Sequence, residues 1–304
     1  MIPLCLVTGF LGSGKTTFLR HIAARHAAEK IVYLVNDFSP QDVDGLLLEE
    51  IEDDVVSIPG GSIFCKCLVT QFLGHLRTIP ERFGSDEAPI EGVVIEASGI
   101  ADPMVVEHML AETALDEVYE LTTIVSIVDP GSLSKLVRTL PNIRAQIAAA
   151  DVVLLNKTDL FGAEAVAQAE RIVREINAGA PIVPTVRCAA DVELFTVGRQ
   201  HGLQGDYAPC VDPNYARFSV TFDRPVDIAA LMRELNMFRD DLYRAKGFVP
   251  IQEGAAYIDL SAAGLTVEPV REAQTTGLAI IARGSASGEV QRLIDALRRA
   301  VVQS

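Results

Sequence analysis

Gly9-Phe10-Leu11-Gly12-Ser13-Gly14-Lys15-Thr16-Thr17 follows an apolar, β-branched run from Ile2 to Thr8 and leads into a helical pattern from Lys15 to Ala28. The spacing G-x-x-x-x-G-K-[ST] between a strand and a helix is that of a loop wrapped around a polyphosphate. Glycines let consecutive backbone N–H groups turn inward, and the helix N-terminus adds partial positive charge. Gly9, Gly12, Ser13 and Gly14 are therefore expected to form the cradle. Lys15 is expected to reach the β- and γ-phosphates, Thr16 to ligate Mg²⁺ through its hydroxyl, and Thr17 to touch the α-phosphate.

Beyond this loop, short apolar runs alternate with helical patterns, the order that gives a mostly parallel sheet covered by helices on both faces. Strands are expected near Ile2 to Thr8, Lys30 to Asn36, Val55 to Ile58, Gly92 to Glu96, Thr122 to Asp129, Asp151 to Asn156 and Ile182 to Val186. Helices are expected near Lys15 to Ala28, Lys66 to Ile79, Pro103 to Glu112, Ile143 to Ala150 and Glu164 to Asn177. From Gly198 to Pro213 the pattern breaks into Gly, Gln, His, Asp and Pro, which sets a domain boundary. The reading is an α/β P-loop NTPase domain over residues 1–210 and a smaller α+β domain over residues 215–304. The second part reads as a strand, a helix (Val226 to Leu235), several strands and a closing helix (Gly288 to Val301). That order suits helices on one face of a mostly antiparallel sheet.

The strand from Asp151 delivers Asn156-Lys157-Thr158-Asp159 at its C-terminal end, the edge where open α/β sheets bind ligands. A carboxylate at Asp159 can accept from N1–H and the exocyclic amine of guanine, a donor pair that adenine lacks. Asn156 can bond the base and brace the phosphate loop, and the Lys157 stem can lie across the purine plane. With the phosphate loop, this tetrad excludes most ATP-using alternatives and points to GTP. The strand ending in Glu96-Ala97-Ser98-Gly99 brings an acid beside the phosphates, where an attacking or magnesium-bound water needs orientation. Ser98 and Gly99 begin a switch segment running to Pro103, in which Gly99 lets the backbone approach a γ-phosphate. A first switch falls on Asn36-Asp37-Phe38-Ser39 with Asp42 and Asp44, and Asp37 joins Lys15 and Glu96 as a catalytic candidate.

The composition narrows the setting. The chain has 304 residues and a formal net charge of -15, which opposes nonspecific attraction to nucleic acid or anionic membrane. Its apolar runs are strand-length, so no membrane span is expected. The N-terminus has no basic stretch before its apolar run, which favours a cytoplasmic protein. The cysteines are Cys5, Cys65, Cys67, Cys188 and Cys210, an odd and sparse set that suits a reducing compartment better than a disulfide scaffold. Cys65-Lys66-Cys67 places two thiols where a loop enters a helix, and soft sulfur suits Zn²⁺ or another late transition metal. Two ligands are too few for a closed tetrahedral site, so Asp37, a histidine or a partner must contribute.

This combination resembles the CobW-type metallochaperone GTPases, relatives of the HypB, UreG and MeaB-type P-loop proteins. The stretches GFLGSGKTT from Gly9, Asn36-Asp37-Phe38, EASGIADP from Glu96 and NKTDL from Asn156 carry it, together with Tyr243-Arg244-Ala245-Lys246-Gly247, which is similar to that family's R-x-K-G signature. The resemblance implies a GTPase with slow intrinsic turnover, using GTP and Mg²⁺. It would deliver Zn²⁺ or Co²⁺, or a metal cofactor, to a client metalloenzyme or corrinoid protein, and a homodimer is compatible with it. Two other readings stay open: a chaperone of a corrinoid enzyme without direct metal binding, and a GTP-dependent scaffold that does not hydrolyse. The sequence departs from the family at Leu68, where a third cysteine is expected, and at Asp37, where glutamate is usual. It also lacks a histidine-rich tract.

Overall fold

Strands that are apolar at nearly every position bury both faces, and five such strands build the centre of the first unit. In the computed structural model the described residues are 1–36, 54–58, 62–66, 68–198, 201–208, 215–261, 264–270, 276–284 and 287–300. The chain divides into two compact units, Met1–Cys210 and Val211–Ser304.

The first unit holds β1 (Ile2–Gly9), β2 (Ile31–Val35), β3 (Val55–Ser57), β4 (Gly92–Glu96), β5 (Tyr119–Val128), β6 (Val152–Leu155) and β7 (Ile182–Pro184). They form one parallel sheet in the order β3-β2-β4-β1-β5-β6-β7. Leu4 and Leu6 of β1 face one layer with Val32, Leu34, Val93 and Ile95. Cys5 and Val7 face the other with Tyr33, Val35, Val94, Val125 and Ile127. This is the alternation of a sheet wrapped on both sides, as the sequence led us to expect.

The helices of this unit are α1 (Lys15–Arg25), α2 (Val69–Phe83), α3 (Val106–Glu112), α4 (Pro130–Thr139), α5 (Pro141–Ala148) and α6 (Ala163–Ile176). On α1 the buried residues are Lys15, Phe18, Leu19, Ile22 and Ala23, the stripe of a helix laid flat on a sheet. Each of the three larger apolar side chains contributes about 1.5–3 kcal/mol by leaving water. Two expectations shift. The second helix starts at Val69, not Lys66, and just ahead of it Leu68 N–H donates to Cys65 O at 3.1 Å. Helix α4 was not foreseen: Asp129 caps it by accepting from Ser132 N–H at 3.0 Å and Ser132 Oγ at 2.7 Å, and Pro130 fills its first position.

After β7 the chain folds back on the same unit. Leu194 and Leu203 are buried, Leu194 O accepts from Thr122 Oγ1 at 3.2 Å, and the Phe195 ring lies where a side chain on Gly92 would be. His201 Nε2 lies 2.8 Å from Asp151 Oδ2, and its backbone N–H donates to Glu107 Oε1 at 3.3 Å. Ala208 then forms a parallel bridge with Cys65.

The second unit is a five-stranded antiparallel sheet of β8 (Tyr215–Thr221), β9 (Leu242–Pro250), β10 (Ala255–Ser261), β11 (Gly264–Val270) and β12 (Gly277–Arg283), ordered β11-β10-β9-β12-β8. Helices α7 (Ile228–Met237) and α8 (Ser287–Arg299) supply Leu231, Leu235, Val290, Leu293 and Leu297 to its core. The Arg244-Ala245-Lys246-Gly247 stretch lies in β9, where Ala245 enters that core and Arg244 pairs with Asp259 at 2.7 Å.

Candidate functional site

The loop between β1 and α1 is built to leave donors unused. Gly14 occupies the N-cap of α1 without a side-chain cap, and the first turn carries no acid, so the helix N-terminus offers its N–H groups to an outside anion. Ser13 N–H closes the loop on Phe10 O at 3.0 Å, while Ser13 Oγ is buried without a hydrogen-bond partner. Gly14 has φ +120°, and a Cβ there would stand 2.4 Å from Asn156 Nδ2 and 2.7 Å from Cys188 Sγ, so no other residue fits. Lys15 is 6% exposed, with Nζ 3.9 Å from Glu96 Oε1 at the end of β4. A lysine this buried keeps its charge only beside an anion, and the carboxylate supplies one. Thr16 is half-buried and Thr17 exposed at the same helix end.

The tetrad Asn156 to Asp159 follows β6. Asn156 is 2% exposed and satisfies three neighbours at once. Nδ2 donates to Ser13 O at 2.7 Å, while Oδ1 accepts from Cys188 N–H at 2.8 Å and Thr185 Oγ1 at 3.2 Å. Lys157 has φ +60° and its Nζ donates to Gly12 O at 2.5 Å, so this side chain spans from the tetrad to the phosphate loop. Thr158 N–H and Oγ1 both donate to Thr185 O, at 3.2 and 3.1 Å. Asp159 is exposed, with its carboxylate open to a ligand or solvent.

Glu96, 2% exposed, lies between Val7 of β1 and Val35 of β2 in the ladder. Beyond it the chain crosses the phosphate loop: a Cβ on Gly99 would stand 2.4 Å from Leu11 N. Ser98 Oγ is buried without a hydrogen-bond partner, a second polar atom aimed into this region. Asp102 then caps the turn at Pro103 by accepting from Met104 N–H at 3.0 Å, and burial raises its carboxyl above the ordinary range.

Sequence reasoning missed two groups here. The turn Thr185 to Cys188 fixes the Asn156 amide, with Arg187 at φ +52° and Cys188 at φ +55°. It was findable, because it follows a parallel strand at the edge that carries the other loops. Cys188 also donates through Sγ to Gly14 O at 3.3 Å, and burial pushes its thiol up to about 12 despite nearby Lys157 and Lys15. On α5, Gln146 Nε2 donates to Gly99 O at 3.4 Å and Ala101 O at 2.8 Å, and Asn142 Nδ2 donates to Ile100 O at 2.5 Å. These two side chains hold the carbonyls of Gly99, Ile100 and Ala101, in the segment expected to be the second switch.

The cysteine segment sits elsewhere on the same sheet edge. Cys65 is 6% exposed. Val69 N–H donates to Cys65 O at 3.0 Å. Ligation of a metal by Cys65 requires its thiolate. Asp37 and Cys67 lie outside the described residues. Among the described residues no group of three or more His, Cys, Asp and Glu is placed to hold a metal, and no helix is long and apolar enough to cross a membrane.

With this geometry in view, the relatives of the chain can be stated. Residues 3–184 match the profile of the CobW/HypB/UreG nucleotide-binding domain, and residues 215–298 match that of the cobalamin synthesis protein cobW C-terminal domain. The zinc chaperone YjiA of Escherichia coli is 29% identical over 236 residues, covering 77% of this chain and 72% of that protein. The zinc chaperone CobW of Pseudomonas aeruginosa is 28% identical over 295 residues, covering 82% of this chain and 77% of that protein. The crystal structure of Zn(II)-bound YjiA GTPase from E. coli aligns over 98% of this chain and 99% of that one, at 22% identity and a TM-score of 0.47. The first profile alone spans more than half of the residues, so this chain belongs to the CobW/HypB/UreG family of nucleotide-binding proteins and carries a CobW C-terminal domain after its nucleotide-binding domain.

Proposed function

We propose that this chain is a GTP-hydrolysing metallochaperone, which binds GTP between the loop Gly9 to Thr17 and the tetrad Asn156 to Asp159. The observation that carries the reading is the Asn156 amide, which joins Ser13 of the phosphate loop to Thr185 and Cys188 of the base side. A pocket joined at that point presents inward N–H groups at one end and a free carboxylate at the other. Asp159 accepts from the guanine edge, and Lys157 covers the purine plane. Lys15 meets the β- and γ-phosphates and leaves Glu96 free to orient water as they arrive. Mg²⁺ would be held through the Thr16 hydroxyl and would neutralise charge on the phosphates. Ser98 and Gly99 follow the γ-phosphate, and Asp37 contributes to the first switch. Turnover without a client is slow, with no activating group supplied by a partner.

Zn²⁺ is the favoured cargo, in line with relatives named zinc chaperones, and Co²⁺ is the competitor. Reduced Cys65 and Cys67, with Asp37, would hold it, and the client is a metalloenzyme or corrinoid protein. A second reading, a cofactor-enzyme chaperone that binds no metal itself, draws on Leu68, which stands where a third cysteine is expected. Calorimetry with GDP, GTP and ATP tests the nucleotide reading: GTP and GDP bind, ATP does not compete, and Lys15→Ala abolishes uptake. Equilibrium dialysis of the reduced protein against Zn²⁺ and Co²⁺ separates the two readings. Retention lost in Cys65→Ser and Cys67→Ser supports the first, and no retention in the parent supports the second.

A further inference from the structure

Asn36 follows β2 and is 1% exposed. Its Nδ2 donates to Ile58 O at 3.0 Å, which fixes the orientation of the amide. Oδ1 then has two lone pairs to give, and two backbone groups take them. Ser98 N–H donates to it at 3.1 Å and Ile63 N–H at 3.0 Å. Ser98 comes two residues after Glu96 and directly before Gly99, the residue pressed against Leu11 of the phosphate loop. Ile63 comes two residues before Cys65. A single buried oxygen thus joins the loop beside the phosphates to the turn that carries the cysteine. The path continues: Ala208 N–H donates to Phe64 O at 3.1 Å, and Lys66 N–H donates to Ala208 O at 3.1 Å.

From this geometry we infer that Asn36 is the positioning residue through which the bound nucleotide sets the conformation of the Ile63–Cys65 turn, and with it the Ala208 segment. The inference rests on the nucleotide reading above and adds the route by which that site reaches the cysteine turn. Two N–H groups share one acceptor whose position is fixed by a third bond, so neither moves independently of the other. When the backbone at Ser98 and Gly99 is drawn toward a γ-phosphate, the Ser98 donor leaves Oδ1 or pulls the amide with it. Either change alters the bond to Ile63 in a buried site, where no water replaces a lost partner. The effect is reciprocal, so constraint of the cysteine turn alters nucleotide affinity by the same factor.

Hydrogen exchange of the full chain, read by mass spectrometry on the segment containing Ser62 to Lys66, tests this with GDP and then with a slowly hydrolysed GTP analogue, both with Mg²⁺. In the parent protein the Ile63 amide should exchange at rates differing about fivefold or more between the two nucleotides. Asn36→Ala should bring the two rates within about twofold of each other, while Asn36→Asp, which keeps Oδ1, should restore part of the difference. A merely structural loss would raise exchange equally in both nucleotide states and would leave their ratio unchanged. Both nucleotides binding with identical Ile63 exchange in the parent overturns the coupling alone, and this comparison holds even if Asn36→Ala does not fold. A full parental ratio in Asn36→Ala also overturns it. If neither nucleotide binds, the coupling and the nucleotide reading fall together.

Discussion

Replacing Asn156 by alanine should weaken the first unit before any nucleotide is added. The side chain makes three hydrogen bonds in a site only 2% exposed, so its removal leaves Ser13 O, Cys188 N–H and the Thr185 hydroxyl without that partner. A buried group left unsatisfied costs about 1–3 kcal/mol, so three of them at the lower bound cost about 3 kcal/mol. Against a total stability of about 5–15 kcal/mol that is a large fraction. The chain contains no tryptophan, so circular dichroism at the helix band is the appropriate probe of urea unfolding. With a slope of roughly 1–3 kcal/mol per molar urea, the midpoint should fall by about 1 M or more. Asp159 provides the internal contrast, because it is exposed and its loss should leave the unfolding free energy within about 0.5 kcal/mol of the parent. An Asn156→Ala protein that unfolds with the parental midpoint and slope would refute the claim that this amide holds the pocket together in the absence of ligand.

Three further outcomes are expected. Asp159→Asn should lower GTP affinity at least ~100-fold and shift preference toward the xanthine nucleotide, because an amide donates where the carboxylate accepted; competition calorimetry reads both effects. Gly99→Ala places a methyl 2.4 Å from Leu11 N and should push the switch off the phosphate loop. Phosphate release should then fall about 100-fold with GDP affinity nearly unchanged, and parental turnover would contradict the assignment. The Cys188 thiol, raised from 9.0 to about 12, binds its proton more tightly in the folded chain than in the unfolded one. Its stabilising contribution is therefore whole below pH 9 and is lost as pH climbs toward 12, so Cys188→Ala should show a shallower fall in urea midpoint over that range.

The parts of the site that were legible in the sequence are those in which a backbone requirement imposes a residue type at fixed spacing. Gly9 to Thr17 and Asn156 to Asp159 belong to this class, and so does the glycine after Glu96, which must approach Leu11. The sheet was legible too, since β-branched runs buried on both faces leave a strong trace. What stayed hidden depends on pairing across distance. Nothing in the surroundings of Gln146 or Asn142 announces that they hold carbonyls some 45 positions away, and Thr185 to Cys188 carry no glycine to mark their turn. Helix α4 was missed for another reason: Asp129 reads only as the end of a strand, whereas an aspartate followed by proline also caps and starts a helix. The second helix was placed early because Lys66 to Leu68 lack a breaker.

The stretch that returns after β7 bears on how the first unit could be separated from the second. The shared family profile ends at residue 184, yet Leu194, Phe195 and Leu203 lie inward of that limit in space and beyond it in sequence. Severing the chain at 184 would uncover the surface they occupy, at about 1.5–3 kcal/mol for each missing side chain. Together they approach the whole margin that keeps an ordinary domain folded. The smallest portable version of this nucleotide-binding half therefore extends to about residue 208, past the bridge between Ala208 and Cys65. Its borders follow the packing of its core, some two dozen positions beyond the segment that kinship alone would mark.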